Sequence, residues 1–327
     1  MTVQPDTPSP DAAARGAALL ALDWGTSSLR AFLLAADGHI IAARASRHGI
    51  QALPLPGTAG FETALEALTG DWLAAVPRLP VVACGMVGSA QGWREAPYVR
   101  CPAAVATLAD KAAVAETAAG RRIAIAPGLL FDPADARPDV MRGEEIQIAG
   151  ALEQAPRLAA RATLVLPGTH SKWATVEEAR VTGFSTAMTG ELFATLSAHT
   201  ILGRLMEGTA AAAEREAAFA AGLEDARASG PGDFVRQLFA TRTLGLTGRL
   251  PGGALADYLS GLLIGHEIVS GLARADARAP LALVGAPALC TRYQTALSAF
   301  GRPAAAVFDN TAPAGLFAFA RALGLLS

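Results

Sequence analysis

Leu19-Leu20-Ala21-Leu22-Asp23-Trp24-Gly25-Thr26-Ser27-Ser28-Leu29-Arg30 is the stretch on which the fold of this chain turns. An apolar run passes through an acid, a glycine and three hydroxyl residues and then becomes apolar again, which reads as a strand, a tight turn and a second strand. Gly25 permits the turn. Thr26, Ser27 and Ser28 put hydroxyls and backbone N–H groups at its tip, beside the Asp23 carboxylate. That arrangement suits a nucleotide phosphate and a hydrated Mg²⁺.

Composition narrows the remaining classes. At 327 residues and 52% hydrophobic, the chain is long enough for two domains with substantial cores. Its net charge of −2 leaves no basic footprint for nucleic acid. Residues 1–16 are polar and rich in Pro and Ala, which predicts a disordered tail, and they lack the basic-then-apolar order of a signal peptide. No apolar run reaches the ~18 residues that suggest a membrane span. Cys84, Cys101 and Cys290 are widely spaced and odd in number. They fit reduced thiols in a cytoplasm and form neither a disulfide framework nor a zinc cluster.

Further along, the pattern repeats. Residues 17–45 read as three strands, Leu65–Leu73 as a helix, Val81–Gly85 as a buried strand, Ala103–Ala118 as a helix and Arg122–Ala126 as a strand. A helix starts near Gly143. After it, Thr163–Leu166, Lys172–Val176 and Arg180–Thr186 repeat the opening meander. Two αβ halves, 17–142 and 143–327, follow from this internal repeat. The second half adds helices around 192–205, 210–228, 233–241 and 254–272. It closes with strand, helix, strand and a helix from Thr311.

Each half carries candidate chemistry. In Leu166-Pro167-Gly168-Thr169-His170-Ser171-Lys172-Trp173, Gly168 and Thr169 occupy the places of Gly25 and Thr26. Lys172 is one of two lysines in an arginine-rich chain, consistent with a need for a compact ammonium. Met141-Arg142-Gly143-Glu144-Glu145 reads as a helix start with two acids in its first turn. Gly85-Met86-Val87-Gly88-Ser89 leaves a buried strand and leads to Trp93, Arg94 and Tyr98, a mixture suited to a pocket for a polar substrate. Gly285-Ala286 follows another strand in a turn that lets backbone approach a ligand.

The first hairpin resembles the phosphate motif of the actin-like ATPases, the hexokinase, Hsp70 and sugar-kinase superfamily. In order, Asp-Trp-Gly-Thr-Ser-Ser-Leu-Arg, Gly-Met-Val-Gly-Ser, Met-Arg-Gly-Glu-Glu-x-Gln, Pro-Gly-Thr-His-Ser-Lys-Trp and Thr-Ala-Met-Thr-Gly-Glu-Leu resemble the 2-dehydro-3-deoxygalactonokinase family, from about Leu19 to the C-terminus. The resemblance implies two RNase H-like domains with a cleft between them. It also implies transfer of the γ-phosphoryl of Mg·ATP to the C6 hydroxyl of 2-dehydro-3-deoxy-D-galactonate, in galactonate catabolism. Asp23 is then the metal's carboxylate. Gly25, Thr26, Ser27, Ser28, Gly168, Thr169, Gly285 and Ala286 hold the nucleotide. Met86, Val87, Gly88, Ser89, Trp93, Arg142 and Lys172 meet the acceptor.

The resemblance implies that Glu144, by its offset from Gly143, is the general base, with Glu145 as the alternative. The motif's second glycine, Gly150, stands one residue closer than in the superfamily pattern, and Glu replaces Asp. The implied partners are ATP, Mg²⁺ and a sugar acid in a cytoplasmic protein, with a homodimer allowed and neither nucleic acid nor membrane. Two alternatives stay open: an actin-like kinase with another acceptor, and a non-enzymatic actin-like ATP-binding protein. Gly230-Pro231-Gly232-Asp233 superficially matches the ribokinase-like anion loop. Pro231 removes one of the N–H donors that loop needs, so the segment reads as a helix boundary.

Overall fold

The computed structural model describes residues 14–326. Its contacts divide the chain into two compact units. Unit 1 comprises, within the described residues, 14–160, 177–183 and 310–326, and unit 2 comprises Arg161–Val176 and Phe184–Asp309.

In unit 1 the strands are β1 Leu19–Trp24, β2 Leu29–Leu34, β3 Ile40–Ser46, β4 Val81–Cys84, β5 Tyr98–Arg100, β6 Ala113–Glu116, β7 Arg122–Ile125, β8 Gly128–Phe131 and β9 Asp139–Met141. Six of them form a sheet in the order β3-β2-β1-β4-β7-β6, and β5-β8-β9 form a small second sheet. All six residues of β1 are buried. That burial explains why it is a continuous apolar run rather than an alternating one. The antiparallel β1–β2 register sets Asp23 opposite Arg30, and the parallel β1–β4 register sets Cys84 beside Asp23.

Unit 2 contains β10 Arg161–Leu166, β11 Ser171–Glu177, β12 Arg180–Ala187, whose first residues belong to unit 1, β13 Leu281–Val284 and β14 Ala306–Phe308. Their order, β12-β11-β10-β13-β14, repeats β3-β2-β1-β4 of the first sheet. The internal repeat read from the sequence is thus a repeat of topology. Behind this sheet, Tyr293 and Leu297 of the helix Pro287–Ala299 pack with Phe219, Leu223, Ile264 and Ile268.

Three expectations change. The division at 142/143 does not match the contacts, because the helix Glu144–Gln154 packs against the last helix, Ala312–Ala322, and both belong to unit 1. There the Thr311 hydroxyl donates to the Gln147 carbonyl at 2.6 Å. The helix expected over 103–118 is confined to Val105–Ala109, and β6 follows it, paired antiparallel to β7. Alanine favours helix locally, but the free edge of β7 supplies a ladder and burial of Ala115, and tertiary pairing wins. Of the expected tail, residues 1–13 lie outside the described residues, while Ala14 is fully buried in the unit 1 core and accepts at its carbonyl from Ala17 N–H.

Candidate active site

The tip of the first hairpin is closed by Gly25 N–H donating to Ser28 O at 2.9 Å. A second segment backs it: Ile50 and Gln51 N–H donate to the carbonyls of Gly25 and Thr26, both at 3.1 Å. Gly49 makes this approach feasible, since a Cβ there would lie 2.3 Å from Thr26 O. Thr26 and Ser27 stay exposed, so the tip is preformed and accessible.

At the end of β1, Asp23 is 8% exposed. Arg30 Nη2 pairs with Asp23 Oδ2 at 2.7 Å. Burial raises the Asp23 carboxyl above its ordinary value, Arg30 pulls it down and the nearby Glu144 pushes it up. The two Glu candidates differ sharply. Glu145 is 2% exposed, with both carboxylate oxygens on Gly143 N–H, at 2.9 and 2.7 Å. Burial and then the charge of Glu144 push its carboxyl up to about 8. Glu144 is half-buried, accepts from Arg142 N–H at 3.1 Å, and acts electrostatically on Asp23. Gly143 adopts φ 106°, and a Cβ on it would come within 3.3 Å of Gly85 Cα, so the helix start bearing Glu144 and Glu145 rests on the beginning of the loop Gly85–Tyr98.

Within that loop, Met86–Gly88 form a 3₁₀ turn in which Val87 and Gly88 are buried. Ser89 is buried and its Oγ lacks a partner among the described residues. Trp93 stacks on Phe61 with centroids 5.6 Å apart and meets Trp24 edge-on at 6.0 Å. It therefore has one foot in the core, while it also lines an open cavity of about 540 Å³ with Gln51, Phe61, Gln91 and Gly92. Arg142 enters the loop from behind. Its Nη2 donates to Ala96 O at 2.9 Å, its guanidinium lies 4.4 Å from the Tyr98 ring centroid, and a Cβ on Gly88 would be 3.0 Å from its Nη1.

In unit 2 the second hairpin is held in the same manner by a close backbone contact. A Cβ on Gly190 would lie 2.5 Å from Gly168 O, and Glu191 N–H donates to Thr169 O at 3.0 Å, so the helix Thr189–His199 starts against the turn. Thr169 is exposed. Lys172 is 4% exposed and its Nζ donates to His170 O at 3.2 Å. Beside the hairpin opens a cavity of about 270 Å³ whose lining includes Gly168, Gly190, Leu263, Leu289, Arg292 and Tyr293. Gly285 and Ala286 do not line it; they lead into the helix Pro287–Ala299 that delivers Leu289, Arg292 and Tyr293. Asp257 also lines the cavity, bridged to Arg215 at 2.8 Å and Arg292 at 2.9 Å.

Sequence reading missed Gly49, Asp257, Arg292 and Glu267, the last a buried acceptor at the second hairpin. Gly49 carries no local motif. The acids at 257 and 267 sit within an otherwise apolar helix, Gly252–Leu272, and two acids in a buried helix were the available signal.

A family model described as 2-keto-3-deoxy-galactonokinase matches residues 23–319. The chain belongs to that family. Membership makes it a sugar-acid kinase, a phosphotransferase with an alcohol group as acceptor, and supports its use of ATP. The chain is 42% identical over 309 residues to the Rhizobium meliloti (strain 1021) protein named Probable 2-dehydro-3-deoxygalactonokinase DgoK1, covering 93% of this chain and 96% of that one. It is 36% identical over 305 residues to the 2-dehydro-3-deoxygalactonokinase of Escherichia coli (strain K12), covering 93% and 98%. A crystal structure of a candidate 2-dehydro-3-deoxygalactonokinase from Sinorhizobium meliloti superposes with a TM-score of 0.82 at 39% identity, covering 93% of this chain and 99% of that one. The activator of the 2-hydroxyisocaproyl-CoA dehydratase from Clostridium difficile, solved with bound ADPNP, superposes at 0.50 with 14% identity, covering 93% and 95%, and shares the fold. The two units are RNase H-like domains of the actin-like ATPase fold. No helix among the described residues is long and apolar enough to cross a membrane.

Proposed function

We propose that this chain transfers the γ-phosphoryl group of ATP to the C6 hydroxyl of 2-dehydro-3-deoxy-D-galactonate, with Glu144 as general base. The observation that carries the assignment of the base is the contrast between the two acids: Glu145 is buried on its own helix start, whereas Glu144 is half-buried and near Asp23. In the step, the C6 hydroxyl proton passes to a Glu144 carboxylate oxygen as the oxygen attacks the γ-phosphorus. The bond from that phosphorus to the β,γ-bridging oxygen breaks, and ADP leaves with the electron pair.

Gly25–Ser28 and Gly168–Thr169 present exposed hydroxyls and turn backbone for phosphate oxygens, and Lys172 belongs with the second turn. The cavity of about 270 Å³ holds the nucleoside. Asp23 fits a magnesium ion: its carboxylate, paired with Arg30 at 2.7 Å, stands at the strand end beside the exposed Thr26 and Ser27 of the turn. One carboxylate with water and phosphate is how Mg²⁺ is usually bound. When bound, the ion neutralises charge on the phosphate oxygens. Ser89, Gln51, Gln91 and the exposed part of Trp93 meet the acceptor. Arg142 braces the acceptor loop against the helix that carries the base, because its guanidinium is turned onto Gly88, Ala96 and Tyr98. A cytoplasmic location is supported by ATP use and by three free cysteines, two of them buried.

The test is a coupled ADP-release assay over a panel of acceptors. We expect turnover of 2-dehydro-3-deoxygalactonate well above that of glycerol, xylulose or glucose, and a loss in kcat of ~10²-fold or more for Glu144→Gln with little change in either KM. Near-normal kcat in that variant would remove Glu144 as the base, and equal use of the neutral sugars would remove the acid acceptor.

A further inference from the structure

Glu267 is a buried acid that the phosphoryl-transfer step does not use, yet three elements converge on it. It stands on the helix Gly252–Leu272 and is 6% exposed. No cation pairs with it among the described residues. Trp173 Nε1 donates to Oε1 at 2.8 Å, and Tyr293 OH at 2.6 Å and the Thr189 hydroxyl both donate to Oε2. Trp173 lies on the strand leaving the second hairpin, Thr189 starts the helix that abuts it, and Tyr293 lines the cavity beside it.

Burial raises the Glu267 carboxyl and the hydrogen bonds from Thr189, Tyr293 and Trp173 pull it down; as a carboxylate it only accepts, and this fixes the direction of the hydrogen bonds beyond it. Tyr293 spends its proton on Glu267, so at its 3.1 Å contact with Ser171 it must accept, with Ser171 Oγ–H as donor. Ser171, its proton committed, is left to accept from Gly168 N–H at 3.3 Å. Gly168 N–H, Ser171 O–H and Tyr293 O–H therefore point in series toward Glu267, and the second phosphate turn is anchored at its glycine. Without an acceptor-only group at 267 the series can reverse, since Ser171 Oγ also lies 3.5 Å from Gly168 O. Reversal would move the Ser171 proton from Tyr293 OH onto Gly168 O and so change how the turn's glycine is held.

We propose that Glu267 is a positioning residue for the nucleotide: it sets the direction of this hydrogen-bond series and so holds the Gly168–Thr169 turn in its phosphate-binding shape. The inference rests on the nucleotide reading of unit 2. Glu267→Gln keeps the size of the side chain but puts an amide donor against one of the three donors. Ser171→Ala cuts the series at its middle and leaves both Glu267 and the cavity wall in place.

The experiment measures the Kd of Mg·AMP-PNP by calorimetry, both KM values and the unfolding midpoint for wild type, Glu267→Gln, Ser171→Ala and Ser260→Trp. The last fills the cavity from its own wall. We expect Glu267→Gln and Ser171→Ala each to weaken AMP-PNP binding and raise the KM for ATP by roughly tenfold, the scale of one or two hydrogen bonds. The KM for the sugar acid should hold within about twofold, and Ser260→Trp should abolish nucleotide binding. Unchanged binding in Ser260→Trp would refute the nucleoside cavity itself. If Ser260→Trp blocks binding but Glu267→Gln and Ser171→Ala lose only stability, with AMP-PNP affinity intact, Glu267 is structural and the inference is overturned. Should Glu267→Gln fail to fold, Ser171→Ala decides alone.

Discussion

Replacing Gly150 with alanine tests how the helix that bears the proposed base is held. Gly150 lies in the helix that begins at Glu144, where alanine would by itself be favoured over glycine by about 1 kcal/mol. The tertiary contact opposes this. A Cβ at 150 would lie 2.0 Å from Thr311 O and 2.8 Å from Gly315 N, both backbone atoms of the C-terminal helix start. The contact is reciprocal, since a Cβ on Gly315 would meet Ile146 O at 1.9 Å. No rotamer change relieves either clash. The helices must separate by about 1.4 Å for the first contact to reach the ordinary 3.4 Å. Forced separation of a packed pair costs about 1–3 kcal/mol or more, and loss of the 2.6 Å bond from Thr311 Oγ1 to Gln147 O adds about 1 kcal/mol. Set against the gain in propensity, Gly150→Ala should destabilise by about 1–3 kcal/mol or more. Because Glu144 starts the same helix, a displacement on the ångström scale should also lower kcat by up to ~10²-fold. Urea unfolding followed by tryptophan fluorescence and steady-state kinetics at saturating substrates measure the two effects. A variant more stable than wild type, or one destabilised but with unaltered kcat, would refute the reasoning.

Three further outcomes are expected. Asp23→Asn should lose most Mg²⁺-dependent turnover while its unfolding free energy stays within about 1 kcal/mol of wild type, since a neutral amide relieves the cost of burying the charge and Arg30 remains partly solvated; parallel loss of stability and activity would make Asp23 a packing residue. Glu145 titrates at about 8 in the fold against an ordinary 4.5, so between those values the folded state keeps a proton that the unfolded chain has released. Stability should therefore fall as pH rises through that window, by a few kcal/mol at most, and Glu145→Gln should flatten the slope in a pH series of urea midpoints; an unchanged slope would show that Glu145 is ionised in the fold. Thr169→Ala should raise the KM for ATP more than that for the sugar acid, and the reverse order would remove the second turn from the phosphates.

The hairpins, the repeat and the helix start bearing Glu144 and Glu145 were legible because each is written in contiguous residues. A strand that ends in Asp-x-Gly-Thr needs only its own turn to close, and duplicated order shows as duplicated text. Local propensity failed where a partner far along the chain overruled it, as at β6, where the free edge of β7 recruited an alanine-rich segment. Spacing favoured Glu144 by its offset from Gly143 and left Glu145 open, because Gly150 stands one residue closer than the superfamily pattern. Burial separates them, since one side chain folds back on Gly143 N–H and the other does not. Arg142 reads from the sequence as a cation for a carboxylate, and only the fold shows that Gly88, Ala96 and Tyr98 surround it. Gly150 has its reason at Thr311, and Glu267 at Trp173, Thr189 and Tyr293, because close backbone approach and buried hydrogen bonds join residues that only the tertiary fold brings within reach.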